Sequence, residues 1–496
     1  MARRKKKQLP PGVLITGVVL FLLIILAVFR LINDTKTVSD ETSANSTPLE
    51  EHIEASPSET PDGSEESNTD DTTVPENTVL TPEEQLAAFL PDYESAPLLN
   101  TTSIRDLSLE IGASSDELRF NWLSPSASAG MIKWTNSSGE MQTFEARTSA
   151  STTVSGYYVN KASITGINAS ASYTYQVGND DGWSPVYSYH APTDNPDKLT
   201  FLVTADAQIG QSDMEDASVT AERWDSVLNR IISYVPDANF LFHLGDQVAD
   251  FGSEEHYRLY LEHLPLYRIA LAPVVGNHDV PNDYSLEENG HPGGQYFYEH
   301  FNVPNRSSLG QSQYDQDGDY YFIRNNVLFL VLNSNTSQGE AVHEQFAAQV
   351  TAEHPDVRWK ILVQHYSPYS AQDSHTNTKE YLARIAADND IDLVLSAHDH
   401  IYSRAAFMNR DCESYNDYDY EPGSTVVNPE GTLYVTCGTS SGCLYHEPDP
   451  DIRVVFVEKE HFPVAMRFDI TEQELHFQTY RVDNWTVCDE YTIRKE

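Results

Sequence analysis

The stretch "LAPVVGNHDVP" (271–281) decides how this sequence is read. Four apolar residues at 271–275, interrupted only by Pro273, run directly into Gly276-Asn277-His278-Asp279. An apolar run that ends in an amide, an imidazole and a carboxylate is open to two readings. It is a polar turn capping a strand, or a buried strand delivering chemistry at its end. The neighbouring runs separate the two. "KLTFLVTAD" (198–206), "ANFLFHLGD" (238–246), "NVLFLVLNS" (326–334), "WKILVQH" (359–365) and "IDLVLSAHDH" (391–400) are also near-continuous apolar segments. Such runs suit strands buried on both faces. Between them lie stretches with apolar residues three and four apart, such as "SVTAERWDSVLNRIISYV" (218–235) and "HEQFAAQVTAEH" (343–354), which predict helices. Alternating strands and helices predict an α/β domain over 195–496.

The ends of these runs form a pattern. They carry Asp206, Asp246, then Asn277, His278 and Asp279, then His365, then His398, Asp399 and His400. Ligands of α/β sheets gather outside the carboxyl ends of the strands, so these side chains are predicted to converge in one cleft. A lone Asp after a strand is usually a cap, and a lone buried His is usually a satisfied core residue. Five strand ends of this kind in one cleft could not be buried without a partner. A pair of metal ions suits such a mixture of oxygen and imidazole donors.

Upstream, residues 98–194 alternate apolar and polar residues in short segments such as "ELRFNWLS" (117–124), "AGMIKWTN" (129–136) and "YTYQVGN" (173–179). A period of two without a helical run predicts a small β-sandwich. Residues 33–97 are rich in Ser, Thr, Pro and acidic residues and read as a disordered tether. Ahead of it, a basic segment (1–12) and an uncharged apolar run, extended to 13–32, read as a cytoplasmic tail and a transmembrane signal anchor. That orientation places the rest of the chain outside a cell membrane. The formal net charge of −44 argues against nucleic acid as a partner. The four cysteines, Cys412, Cys437, Cys443 and Cys488, lack metal-cluster spacing and are expected to pair as 437–443 and 412–488.

Taken together, "TADAQ" (204–208), "LGDQVAD" (244–250), "VGNHD" (275–279), "VQHYSPY" (363–369) and "SAHDHIYSR" (396–404) resemble the ordered motifs of the calcineurin-like metallophosphoesterases, most closely the purple-acid-phosphatase-like branch. The segment "ITGINASASYTYQVGNDDGWSPVYSYHAP" (164–192) resembles the fibronectin type III-like domain that precedes the catalytic domain of purple acid phosphatases. The resemblance implies a four-layer α/β β-sandwich flanked by helices, preceded by the all-β sandwich and the N-terminal transmembrane helix. It implies two divalent ions, of manganese, zinc or iron. Asp246 would bridge them, Asp206 and His400 would hold the first, and Asn277, His365 and His398 the second. His278 would serve the leaving oxygen as a catalytic residue, with Asp279 as its orienter. Tyr402 and Arg404 would be structural or would contact substrate.

Two positions depart from the branch. Ala249 stands where purple acid phosphatases place a tyrosine ligand, and Gln208 where other metallophosphoesterases place a histidine, so Gln208 is a candidate but weaker ligand. The implied activity is two-metal hydrolysis of a phosphomonoester. Alternatives are a phosphodiesterase acting on nucleotides or wall polymers, and a non-catalytic surface protein whose fibronectin-like domain contacts the cell wall.

Overall fold

The computed structural model describes residues 103–193, 195–211, 216–281, 294–372 and 376–496, the side chains of residues 376 and 377 excepted. The apolar runs form two sheets that face each other. The larger sheet runs through Thr425–Val427, Val487–Arg494, Glu474–Arg481, Val464–Ile470, Leu199–Thr204, Leu241–His243, Leu271–Pro273, Arg105–Ile111, Leu118–Ser124, Tyr158–Ile164 and Arg147–Ala150. Its centre is parallel, with Leu202 opposite Leu241 and Leu241 opposite Leu271. The second sheet runs through Tyr320–Arg324, Val327–Val331, Trp359–Tyr366, Leu393–Ala397, Leu433–Thr436, Ser403–Ala405 and Val454–Val457. Its middle four strands, from Val327–Val331 to Leu433–Thr436, are parallel.

Phenylalanines fill the space between the sheets. Phe201 stacks on Phe240 and Phe468 at 5.0 and 4.8 Å, and its edge meets Phe329 of the second sheet at 5.4 Å. Each such side chain, fully buried, contributes roughly 1.5–3 kcal/mol of transfer free energy. The outer faces are covered by helices. Ala217–Tyr234 lays Ala221, Trp224, Leu228 and Ile231 against Leu202, Leu241 and Leu271. Asp216 caps its start by accepting from the Ser218 N–H at 2.9 Å. It stops before Pro236, which disfavours helical geometry in the preceding residue. Helices Ala341–Glu353 and Thr376–Asp388 cover the second sheet in the same way, over Leu330, Leu362 and Val394.

The structure corrects the expected fold class in two respects. The N-terminal sandwich is not a separate layer pair placed ahead of the α/β domain. Its strand Arg105–Ile111 pairs in parallel with Leu271–Pro273, Glu110 opposite Leu271, so one mixed sheet serves both parts. The sandwich's other sheet, Met141–Glu145, Met131–Asn136, Ser172–Asn179 and Gly182–Trp183, with Tyr187–His190 also paired to Ser172–Asn179, closes on it around Phe120, Trp134 and Tyr175. The second correction concerns the transmembrane helix expected over 13–32, which, with the segments 1–12 and 33–97, lies outside the described residues. Among the described residues no helix is long and apolar enough to cross a membrane.

Candidate metal centre

The strand ends do converge. His365 Nε2 lies 3.3 Å from Asp246 Oδ2, 3.1 Å from Asn277 Oδ1 and 3.3 Å from His398 Nδ1. Asp246, His365 and His398 each bring one donor atom within 4.8 Å of the others. Asp206 adjoins this group. Its Oδ2 accepts the His398 backbone N–H at 3.1 Å, and its Oδ1 lies 3.8 Å from His400 Nε2. That Oδ1 is buried without a hydrogen-bond partner. All seven residues expected as ligands, Gln208 included, therefore border one site.

The backbone is bent to deliver them. Asp206, Gln208, Asp246, His398 and His400 all have positive φ, between 35° and 75°. Non-glycine residues rarely adopt this region, and such strain collects at functional sites. The turns are crowded too. Gly245, at φ 102°, would place a Cβ 2.5 Å from His365 Nδ1.

Carbonyls aim the imidazoles. His365 Nδ1 donates to Leu244 O at 2.9 Å, and His400 Nδ1 donates to Leu444 O at 2.9 Å. Both rings thus turn Nε2 inward, the arrangement that fixes the tautomer of a metal-ligating histidine. The charges are strongly perturbed. Burial pushes the Asp206 carboxyl up to about 7 against the pull of His400 and His365. Burial opposes a charge on His365, but the Asp246 carboxylate outweighs it and lifts the imidazole to about 10. Burial likewise opposes a charge on Asp246, and His365 overcomes this, holding the carboxyl well below its usual range. Two carboxylates, an orphaned Asp206 oxygen and two imidazole nitrogens 3.3 Å apart fit divalent cations well.

Three expectations are corrected here. Asp279 does not orient His278. Its Oδ2 accepts the backbone N–H groups of Asp246 and Gly276, each at 2.8 Å, and its Oδ1 accepts that of Gln247 at 2.8 Å. Asp279 is a brace for the turn carrying Asp246, and burial followed by the Asp246 charge lifts its carboxyl to about 8. His278 is instead oriented by a carbonyl, donating from Nδ1 to Ala249 O at 2.8 Å.

Gln208 is the second. It points its Nε2 donor at Asp246 Oδ2, 2.9 Å away, and its Oε1 lies 3.6 Å from Cys443 Sγ. The amide oxygen, the atom a metal would use, is therefore turned from Asp246.

The third concerns the cysteines, which are all free thiols among the described residues. The loop between Cys437 and Cys443 does not close on itself. It caps the turn that carries Asp206. Thr439 and Ser441 donate to Asp206 O and Ala207 O at 2.9 Å each, and Ser440 Oγ accepts the Ala205 N–H at 3.0 Å. Sequence reasoning missed these hydroxyls, although "LYVT" (433–436) is one more apolar run with polar residues beyond its end. His446, whose ring lies 5.4 Å from that of His400, was also missed. Arg404 and Tyr402 are structural. Both are buried and bind Asp489, Arg404 Nε at 2.8 Å and Tyr402 Oη at 2.7 Å from Oδ2.

Comparison with known proteins agrees with this geometry. Residues 199–402 match the calcineurin-like phosphoesterase family, and residues 104–191 match the purple acid phosphatase N-terminal domain. The fold is similar to that of the purple acid phosphatase PPD1 from yellow lupin (Lupinus luteus) seeds, with TM-score 0.63 and 16% identity over 79% of this chain and 75% of that one. It is also similar to PhoD, with TM-score 0.51 and 13% identity over 80% and 91% of the two chains. Sequence comparison with curated proteins finds no match. Purple acid phosphatases and other metallophosphoesterases use a dinuclear metal site, and the cluster around Asp246 supplies donors for one. The chain carries a calcineurin-like phosphoesterase domain over 199–402 and a purple acid phosphatase N-terminal domain over 104–191, and is a phosphoric ester hydrolase.

Proposed function

We propose that the chain hydrolyses phosphomonoesters at a centre of two divalent ions. Asp246 would be shared between the ions, Asp206 and His400 would hold one, and Asn277, His365 and His398 would hold the other. The observation that carries this reading is the convergence of Asp246, His365 and His398 donors within 4.8 Å, beside the partnerless Asp206 Oδ1. Two such ions, when bound, polarise phosphoryl oxygens and lower the pKa of a water. The local positive charge also admits an anionic ester to a protein of net charge −44.

The chain's own residues supply the rest. His278 donates from Nδ1 to Ala249 O, so its Nε2 is the atom free to pass a proton to the leaving oxygen. The His278 backbone N–H donates to Asp246 Oδ1 at 2.9 Å, and Gln208 donates to Oδ2. Both oxygens of the Asp246 carboxylate are thus held in place, and Gln208 acts as its positioner. Asp279 keeps the whole turn rigid through three backbone donors. Ala249 contributes no phenolate, so a tyrosinate band is not expected. The reading includes no membrane or cell-wall partner, which neither the fold nor the comparisons support.

The test is turnover of the metal-loaded protein on paired aryl and alkyl esters. Phosphomonoesters are expected to turn over at least tenfold faster than the matching diesters. A preference for diesters would replace this reading by the phosphodiesterase one, and no turnover of either would leave the non-catalytic one.

A further inference from the structure

A second cluster lies where the N-terminal sandwich meets the α/β layers. Asp106 sits on Arg105–Ile111, Glu254 opens the helix Glu254–Leu261, and His300 ends Tyr296–His300. One donor atom from each lies within 4.8 Å of the other two, the same closeness shown by Asp246, His365 and His398. His300 Nε2 is 3.3 Å from Glu254 Oε2 and 3.8 Å from Asp106 Oδ2. We propose that Asp106, Glu254 and His300 bind a further divalent transition ion, of the zinc class, which ties the sandwich to the catalytic layers.

Four observations carry it. First, Asp106 and His300 are both fully buried, and Asp106 Oδ1 and His300 Nε2 have no hydrogen-bond partner. Orphaned polar atoms at such depth are costly unless something joins them. Second, His300 is prepared as a ligand. Its Nδ1 donates to Tyr296 O at 2.7 Å, and Tyr257 stacks on the ring at 3.9 Å, which fixes Nε2 toward the carboxylates.

Third, the spacing suits an ion. Bonds of about 2.1 Å in a tetrahedron place ligand atoms about 3.4 Å apart. The observed separations, 3.3 Å to Glu254 Oε2 and 3.8 Å to Asp106 Oδ2, bracket that value. Fourth, Asp106 adopts φ 53° at a register shift between Arg105 and Ser108, so strand pairing is given up where its carboxylate turns inward.

Arg105 is the competing cation. Its Nε donates to Asp106 Oδ2 at 2.6 Å, and its Nη2 donates to Glu254 O at 3.0 Å and lies 3.4 Å from Oε2. Arg105 thus contacts the same two oxygens, Asp106 Oδ2 and Glu254 Oε2, that face His300, as a supporting group around a metal does, and leaves Asp106 Oδ1 unclaimed. The Glu254 side chain is 20% exposed, which gives the ion a way in and a place for a water as fourth ligand. The donor set, two carboxylates and one imidazole, is one that zinc accepts.

The alternative is a proton on His300, making a closed network of Arg105, His300 and the two carboxylates. Crystals of the protein soaked in zinc separate the two by anomalous scattering at the zinc edge. A peak among Asp106, Glu254 and His300 is the expected result, and its absence overturns the proposal in favour of the proton. In solution, His300→Ala is expected to hold one zinc fewer per chain than the unmodified protein while ester turnover is unchanged. An equal zinc count overturns the proposal. Should His300→Ala fail to fold, the anomalous map of the unmodified protein decides alone.

Discussion

Replacing Gly276 with alanine is expected to empty the metal centre and abolish turnover. The added Cβ would sit 2.1 Å from Asp246 Oδ1 and 2.2 Å from the Asp246 backbone nitrogen. Neither atom can yield. The nitrogen is tied to Asp279 Oδ2 at 2.8 Å, and Asp246 is already held at φ 52°. The carboxylate proposed to bridge both ions would therefore be the group displaced. A misplacement of about 1 Å at a reacting centre costs roughly 10²-fold, and loss of the bridge would cost more. Metal content and turnover of Gly276→Ala, with circular dichroism to confirm folding, check this. A folded variant with full metal content and unchanged turnover would show that Asp246 is not the bridge.

His278→Ala is expected to behave in the opposite way, keeping its metal and losing rate. Only the backbone N–H of His278 touches Asp246, and alanine retains it. The side chain is held by Ala249 O rather than by any proposed ligand. Turnover should fall by the roughly 10²–10⁴-fold typical of losing a general acid–base group. The fall should depend on the ester. An alkyl leaving group needs a proton and should suffer most, whereas a nitrophenolate departs as an anion and should suffer least. Loss of metal along with activity would make His278 a ligand. Equal slowing of both esters would make it a phosphate-binding residue, and leaving-group protonation would then lie elsewhere.

These contrasting roles for adjacent residues mark the limit of what the sequence discloses. Asp206, Asp246, Asn277, His365, His398 and His400 were legible because each follows an apolar run, and parallel strands put their ends on one side. The direction in which a side chain leaves a turn is not legible in that way. His278 and Asp279 are neighbours in the chain, yet the turn sends Asp279 back under Asp246 and Gly276 while His278 reaches Ala249 O. Gln208 was readable as a departure, but its amide orientation is set by Asp246 and Cys443, which lie far away in sequence. The merging of the sandwich with the main sheet rests on the pairing of Glu110 with Leu271, and no local pattern encodes a partner so distant. The cysteines misled because even number and short spacing permit disulfides, whereas packing placed Cys443 against Asp206 O at 3.5 Å.

The central claim is that catalysis belongs to ions held by Asp206, Asp246, Asn277, His365, His398 and His400. Its most direct test is to strip the protein of metal with a chelator, measure phosphomonoester turnover, and then restore zinc or manganese. Turnover is expected to vanish in the stripped protein and to return on metal addition, and not to return in an Asp246→Asn variant. Full turnover by the metal-free protein, or rescue of Asp246→Asn to the unmodified rate, would contradict the account.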